Sequence, residues 1–373
     1  MKVLLFEINP FHHEVLPGFA YYLIRLGFEV DCLMQKNDVL GDPFSKCPLL
    51  KEKIHFHYFQ KGEEIKVFEE LQRQHVYDLL LANSFQYYKN GDWVSVMKML
   101  PALDKNRLGV VGYYHDLERF LDSRINDLIP AERVIALSKV NIGGSFFPEV
   151  NANYFCDSVQ KKPKNQTIRI LSVGRSTDRR VLWNAAEAAR KRTKQPVRLV
   201  CVGRERPVTA RIVLYAIYAV EKLFHVRIRY TVRNLPPLFA KHFRKQELQE
   251  IFNPPFQDLF KEVENSDFLD GSILTELKAQ FASNRTSGVK QLSLGFLKPC
   301  IIEKSVADFY GFTDRNAVIY EEGRMDEAII RAASMTEKEY SEMVSELEKL
   351  CKEIRDRSER NLRNIISNLE ATE

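Results

Sequence analysis

Residues Asn284 to Glu303 read NRTSGVKQLSLGFLKPCIIE. A polar loop ends in Thr286, Ser287 and Gly288; a helix follows with Val289, Leu292, Leu294 and Phe296; Pro299 then precedes a short buried strand, Cys300 to Ile302. Small hydroxylated residues opening a helix leave backbone N–H groups and the positive end of the helix dipole facing outward, which suits a diphosphate. The same residues also make an ordinary helix start, with Ser287 as N-cap and Gly288 easing the turn.

Working outward, short apolar runs alternate with helical patterns in both directions. Upstream, Ile168 to Val173 reads as a strand, Gly174, Arg175, Ser176 and Thr177 as its turn, Val181 to Arg192 as a helix and Val197 to Val202 as the next strand. A helix over Val208 to Phe224, a strand over Val226 to Val232, a basic and proline-broken segment from Asn234 to Pro255 and a strand near Phe268 and Leu269 follow. Downstream, Asn316 to Glu322 reads as the last strand. Glu337 to about Leu369 reads as a long charged helix with Met343, Leu347, Leu350, Ile354 and Leu362 on one side.

The N-terminal half has the same rhythm. Lys2 to Phe6 is a buried strand, the loop INPFHHEVLPG leads to a helix from about Phe19 to Leu26, and Gly27 ends it before the strand Phe28 to Leu33. Further strands are expected at Ile54 to Phe59, Leu79 to Ala82, Leu108 to Tyr114 and Arg133 to Leu137, with helices near Glu63 to Arg73 and Trp93 to Leu100. The polar stretch Asp157 to Thr167, DSVQKKPKNQT, reads as a linker. The expected class is α/β, with two doubly wound, Rossmann-like domains facing a cleft and a long C-terminal helix. The first domain is expected to span 1–156 and, after the linker, 157–167, the second to span 168–350. The helical end, 351–373, is expected to pack back on the first domain.

Composition narrows the function. A chain of 373 residues with 45% hydrophobic and 28% charged residues is globular and long enough for two cores. Its formal charge of +5 allows a local basic face toward nucleotide, lipid or phosphate but does not by itself indicate nucleic-acid binding. Basic residues alternate with aromatics from Arg204 to Arg244, a surface that could rest on anionic lipid near a lipid-linked acceptor; the same residues also read as core aromatics beneath a solvated basic face. The six cysteines are scattered and lack zinc spacing, as expected of reduced, buried thiols in a cytoplasmic protein. Glu7 and Pro10 end the opening apolar run too soon for a signal peptide, and no stretch has the roughly 18 unbroken apolar residues of a membrane span.

Three places in the second half resemble the nucleotide-sugar-binding domain of GT-B glycosyltransferases, the two-Rossmann class that includes glycosyltransferase family 4. They are ILSVGR at Ile170 to Arg175, VRLVCVGRE at Val197 to Glu205, and the pair TSG and KPCII at Thr286 to Gly288 and Lys298 to Ile302. The N-terminal half is similar through its first 30 residues, GYYHD at Gly112 to Asp116, and RVIALS at Arg133 to Ser138. The resemblance implies transfer of a sugar from a UDP- or GDP-linked donor, a substrate and not a cofactor, to a glycan or lipid-linked acceptor. It also implies that Gly174 and Arg175 reach the donor phosphates and that His115 and Asp116 lie by the donor sugar. Family 4 usually carries two glutamates eight positions apart around the phosphate helix. Lys290, Leu292, Leu294 and Leu297 stand in that region, so the similarity points to divergent bacterial polysaccharide-type transferases.

Such chemistry needs a clamp on the departing diphosphate and, in the inverting case, a base for the acceptor proton. An Asp-x-Asp metal pair is absent from the sequence. The clamp is therefore expected from Arg175, from the hydroxyl and backbone donors of Thr286, Ser287 and Gly288, and from Lys290 or Arg285. For the base, His12, His13 and Glu14 sit in the loop after the first strand; His13 beside Glu14 is the favoured pair and Glu14 is itself an alternative base, while the residues alone leave open which imidazole points inward. A nucleotide-sugar epimerase and a catalytically inactive adapter fit the same double sheet. An oxidoreductase fits poorly, since the spaced glycines of a dinucleotide site are missing from the first turn.

Overall fold

A computed structural model describes residues 1–8, 12–36, 40–60, 62–83, 109–113, 117, 133–142, 144–152, 158–159, 161–174, 179–193, 196–203, 248–252, 254–283 and 285–370. The expected helices at 93–100 and 208–224, the strand at 226–232, and three site residues, His115, Asp116 and Arg175, lie outside the described residues.

The first half runs β1 (Lys2–Glu7), a 3-10 turn (His13–Val15), α1 (Leu16–Arg25), β2 (Glu29–Gln35), α2 (Pro48–Lys51), β3 (Ile54–Phe59), α3 (Glu64–Gln74), β4 (Leu79–Ala82), β5 (Gly109–Tyr113) and β6 (Val134–Ile135). The antiparallel pair β7 (Val140–Ile142) and β8 (Ser145–Phe147) closes it. The six long-range strands form one parallel sheet in the order β3-β2-β1-β4-β5-β6. Val3, Leu4, Leu5 and Phe6 are all buried, as a parallel strand covered on both faces requires. In α1, Leu16, Phe19, Ala20 and Leu23 recur at helical spacing toward the core, and Gly27, at φ 88, turns the chain into β2.

The second half repeats the plan with β9 (Ile168–Val173), α4 (Arg179–Thr193), β10 (Val197–Gly203), β11 (Leu248–Phe252), α5 (Phe256–Asn265), β12 (Phe268–Asp270), a 3-10 turn (Thr275–Leu277), α6 (Lys278–Phe281), α7 (Gly288–Phe296), β13 (Cys300–Glu303), α8 (Lys304–Tyr310), β14 (Val318–Tyr320), α9 (Met325–Ser334) and α10 (Glu337–Glu370). Its sheet order is β11-β10-β9-β12-β13-β14, again parallel. Both sheets therefore reverse direction of growth once, between β1 and β4 and between β9 and β12, and ligands of such sheets bind beyond the carboxyl ends at that reversal.

One expectation fails here. The sequence leads one to expect no strand in the basic, proline-broken segment Asn234 to Pro255, yet Leu248–Phe252 is a strand paired with β10, Leu199 facing Leu248. LQEIF sits at the sheet edge, where polar residues are tolerated, so it carries no apolar run to betray it. Helices α5, α8 and α9 were likewise unread, each being too short or too mixed to stand out from the loops around it.

Helix α10 belongs to both halves. Tyr340, Met343, Val344, Leu347, Cys351 and Ile354 lie in the core of the second sheet, whereas Leu362, Ile365 and Ile366 lie in that of the first. The linker is fastened as well: Asp267 accepts from the backbone N–H groups of Asn165 and Arg169, both at 2.8 Å. The five described cysteines are all buried. No helix among the described residues is long and apolar enough to cross a membrane.

Candidate active site

The mouth of α7 lies at the carboxyl edge of the second sheet, beyond the end of β12. Ser287 is the N-cap: its backbone is extended (φ −78, ψ 142) and its Oγ accepts from Val289 N at 3.2 Å. Its own N–H donates to Tyr310 Oη at 2.8 Å, so the cap is held from α8 as well. Gly288, the first helical residue, is exposed, and a Cβ added to it would meet nothing within 4 Å. The helix end is thus open to a ligand while its cap is fixed from behind. Both readings of the stretch, cap and anion site, are compatible with this geometry.

Across the reversal point, Gly174 follows β9 at φ 95, a conformation that favours glycine, again with open space around it. Arg179 at the start of α4 is buried and donates to the carbonyls of Gly174 and Val202, tying together the ends of β9 and β10. Beside them, Asp270 ends β12 fully buried, with Oδ1 accepting from Ser272 N at 3.0 Å. Burial pushes its carboxyl up to about 6, against the opposing pull of the Ser272 and Ser172 hydrogen bonds and the Arg179 charge. Sequence reading missed Arg179, Asp270 and Tyr310. The signal available for Asp270 was an acid closing an apolar strand, FLD; nothing local marks the other two.

Lys290 behaves differently from expectation. Only 2% exposed, it donates from Nζ to Ser138 Oγ at 2.8 Å and lies 3.7 Å from Glu149, both in the first half of the chain. Its ammonium also stands over the Tyr310 ring. Thr286 is drawn into the same contact, its Oγ1 lying 2.8 Å from Ser138 Oγ. Glu149 is gripped from α10 by Arg357 Nε at 2.8 Å, and its carbonyl accepts from Asn361. Thr286 and Lys290, expected at the donor phosphates, are therefore engaged in the seam joining the halves, leaving Ser287 and Gly288 at the mouth. Burial lowers the Lys290 amine to about 8, with the Arg357 charge adding to the effect and Glu149 opposing it.

At the carboxyl edge of the first sheet, the three residues expected to supply a base are distinguished by burial. His13 is 1% exposed. His12 is the accessible one, its Nδ1 lying 3.5 Å from Glu14 Oε1 with the two side chains 26% and 24% exposed. Burial opposes ionisation of Glu14, but the hydrogen bond and charge of His12, a backbone bond and the His13 charge together hold it below the usual carboxylate range. Its carboxylate is thus held ionised beside the His12 imidazole, which a neighbouring anion can orient.

One group of possible metal ligands occurs among the described residues: Glu29, Asp31 and His55, at the opposite, amino edge of the first sheet. Lys2 Nζ lies 3.2 Å from Glu29 and 3.1 Å from Asp31, so a cation already sits between these carboxylates.

No family model matches the sequence, and no curated protein matches it. Solved structures do. Trehalose-6-phosphate synthase of E. coli, bound with UDP-2-fluoro glucose, superposes with a TM-score of 0.55 at 11% identity, covering 98% of this chain and 99% of its own. Anabaena HepE in complex with UDP and glucose gives 0.58 at 10% identity, with the same coverage of 98% and 99%. The fold is that of the GT-B glycosyltransferases. S. aureus TarM, in complex with fondaparinux, alpha-GlcNAc-glycerol and UDP, shares this GT-B fold with a TM-score of 0.58 at 8% identity over 98% of this chain and 99% of its own. At such identities the likeness is one of fold. The GT-B plan accounts for the two sheets of identical order, and it places the reversal points of both on the edges where His12 and α7 lie.

Proposed function

We propose that the chain is a glycosyltransferase that moves a sugar from a nucleotide-diphosphate donor to a carbohydrate acceptor. The observation that carries the reading is the open amino end of α7 at the reversal edge of the second sheet, in a fold shared along nearly its whole length with enzymes bound to UDP or a UDP-sugar. The diphosphate accepts from the Gly288 N–H and the Ser287 cap region, with Arg175, which follows β9 in the sequence, supplying charge. The clamp needs no metal in this reading; polysaccharide or lipid-linked glycan acceptors, a cytoplasmic site and contact with a membrane surface belong to the same proposal.

In the inverting case the acceptor hydroxyl passes its proton to the His12 imidazole as its oxygen bonds to the anomeric carbon. The bond from that carbon to the diphosphate breaks, and the nucleoside diphosphate leaves with the electron pair. Glu14 stabilises the imidazolium that forms. Donor binding on the second domain and acceptor binding on the first require the two to close about the linker.

A thermal-shift series with UDP and GDP tests the reading, since a ligand at a hundred times its dissociation constant adds about 2.7 kcal/mol to stability. Arg175→Ala should abolish that shift. His12→Ala should keep it and lose release of the nucleotide from a UDP-sugar, whereas His13→Ala should act through stability. Absence of a shift with either nucleotide removes the reading.

A further inference from the structure

His12 is one of two described residues other than glycine with positive φ, at 65° with ψ 13°. Histidine tolerates this left-handed conformation better than most side chains, but something must still hold it. Asn83, directly after β4 and fully buried, donates through Nδ2 to the His12 carbonyl at 2.8 Å and to Glu7 Oε2 at 2.6 Å. Its backbone N–H donates to Phe6 O at 2.8 Å, so the residue is anchored to β1 by both ends. The His12 carbonyl also accepts from Val15 N at 3.3 Å, which ties it to the 3-10 turn carrying Glu14.

We infer that Asn83, oriented by the buried Glu7 carboxylate, is a positioning residue that sets the His12 imidazole against Glu14 and toward the acceptor. The inference deepens the glycosyltransferase reading and rests on it for the catalytic part. Glu7 and the His12 carbonyl both present acceptor oxygens, so the amide has one useful orientation, NH2 toward both, and only a two-donor group of this length bridges them. The strut spans the reversal point between β1 and β4, where the chain leaves the sheet. Without it, the backbone at His12 relaxes toward negative φ, which redirects the side chain away from Glu14 and disperses the imidazole over orientations that cannot take the acceptor proton.

Two measurements test this. First, release of UDP from UDP-glucose, UDP-N-acetylglucosamine and GDP from GDP-mannose is followed in wild type and Asn83→Ala, beside the dissociation constant for UDP. At least a tenfold fall in kcat, with UDP affinity within about twofold of wild type, is the expected result; kcat within twofold of wild type overturns the inference, and so does an equal loss of kcat and UDP affinity. Second, Asn83→Ala is combined with His12→Gly in a double-mutant cycle read by Tm, which needs no donor. Glycine adopts positive φ unaided, so Asn83→Ala should cost less than half as many degrees in the His12→Gly background as in wild type; equal costs overturn the strut. Asn83→Ser, whose hydroxyl can satisfy one of the two acceptors, replaces Asn83→Ala in both measurements should the latter not fold. If wild type neither binds UDP nor releases nucleotide from any donor, the glycosyltransferase reading falls, while the cycle still decides whether Asn83 holds His12.

Discussion

Replacing Lys290 by methionine should remove a pH dependence of stability that can be sized from the structure. The amine is 2% exposed, held between Ser138 Oγ and Glu149, and lowered to about 8 from the ordinary 10.5 by burial first and the Arg357 charge second. A lysine whose folded value lies below its unfolded one binds fewer protons folded than unfolded between those two values, so stability rises with pH across that window. Between pH 7 and pH 10 wild type should therefore gain about 2–3 kcal/mol relative to Lys290→Met. The comparison must be differential. Lys298 shifts the same way, while the buried thiols of Cys32 and Cys300, pushed up by burial, oppose it as unfolded cysteines ionise. Those contributions cancel when the two proteins are compared at each pH. At pH 7 methionine, with no charge to bury and nearly the same length, should be neutral or stabilising, because Glu149 keeps its Arg357 partner. Urea melts of both proteins at half-unit intervals give the two curves. Parallel curves would refute the burial of Lys290, and with it the closed contact between the halves at Ser138.

Gly288→Asp separates helix from ligand. The site has room for the side chain, and a carboxylate in the first turn favours the helix dipole; Tm should hold or rise slightly, while UDP affinity should fall at least tenfold by repulsion of the diphosphate. Unchanged UDP affinity in isothermal titration would place the phosphates elsewhere. Leu362→Ala, at a fully buried position in the core of the first sheet, should cost about 2–5 kcal/mol in urea melts. A cost near zero would show that the end of α10 does not pack on the first half.

The β-strands were legible wherever parallel pairing buried both faces: VLLF at Val3 to Phe6, LLLA at Leu79 to Ala82 and CII at Cys300 to Ile302 are unbroken apolar runs for that reason. The edge strand at Leu248–Phe252 and the three short helices were not, since an element exposed on one side need not be apolar throughout. Within the site, the Ser287 cap and the cluster of His12, His13 and Glu14 were visible because capping and clustering act over a few residues; that Glu14 meets His12, with His13 buried, was not.

What the amino-acid sequence determined by itself was local: the alternation of strand and helix, the hydroxyl-rich start of α7, and a charged helix long enough to reach beyond one core. Tertiary structure alone decided that Lys290 and Thr286 turn to Ser138, 152 and 148 residues away. It also decided that His12 and not His13 remains accessible, and that Asn83 meets a carbonyl 71 residues upstream. Periodicity reports which side of an element faces the core, but not which other element supplies the partner. Those pairings exist only once the parallel sheets bring the ends of β1 and β4, and the two halves of the chain, side by side.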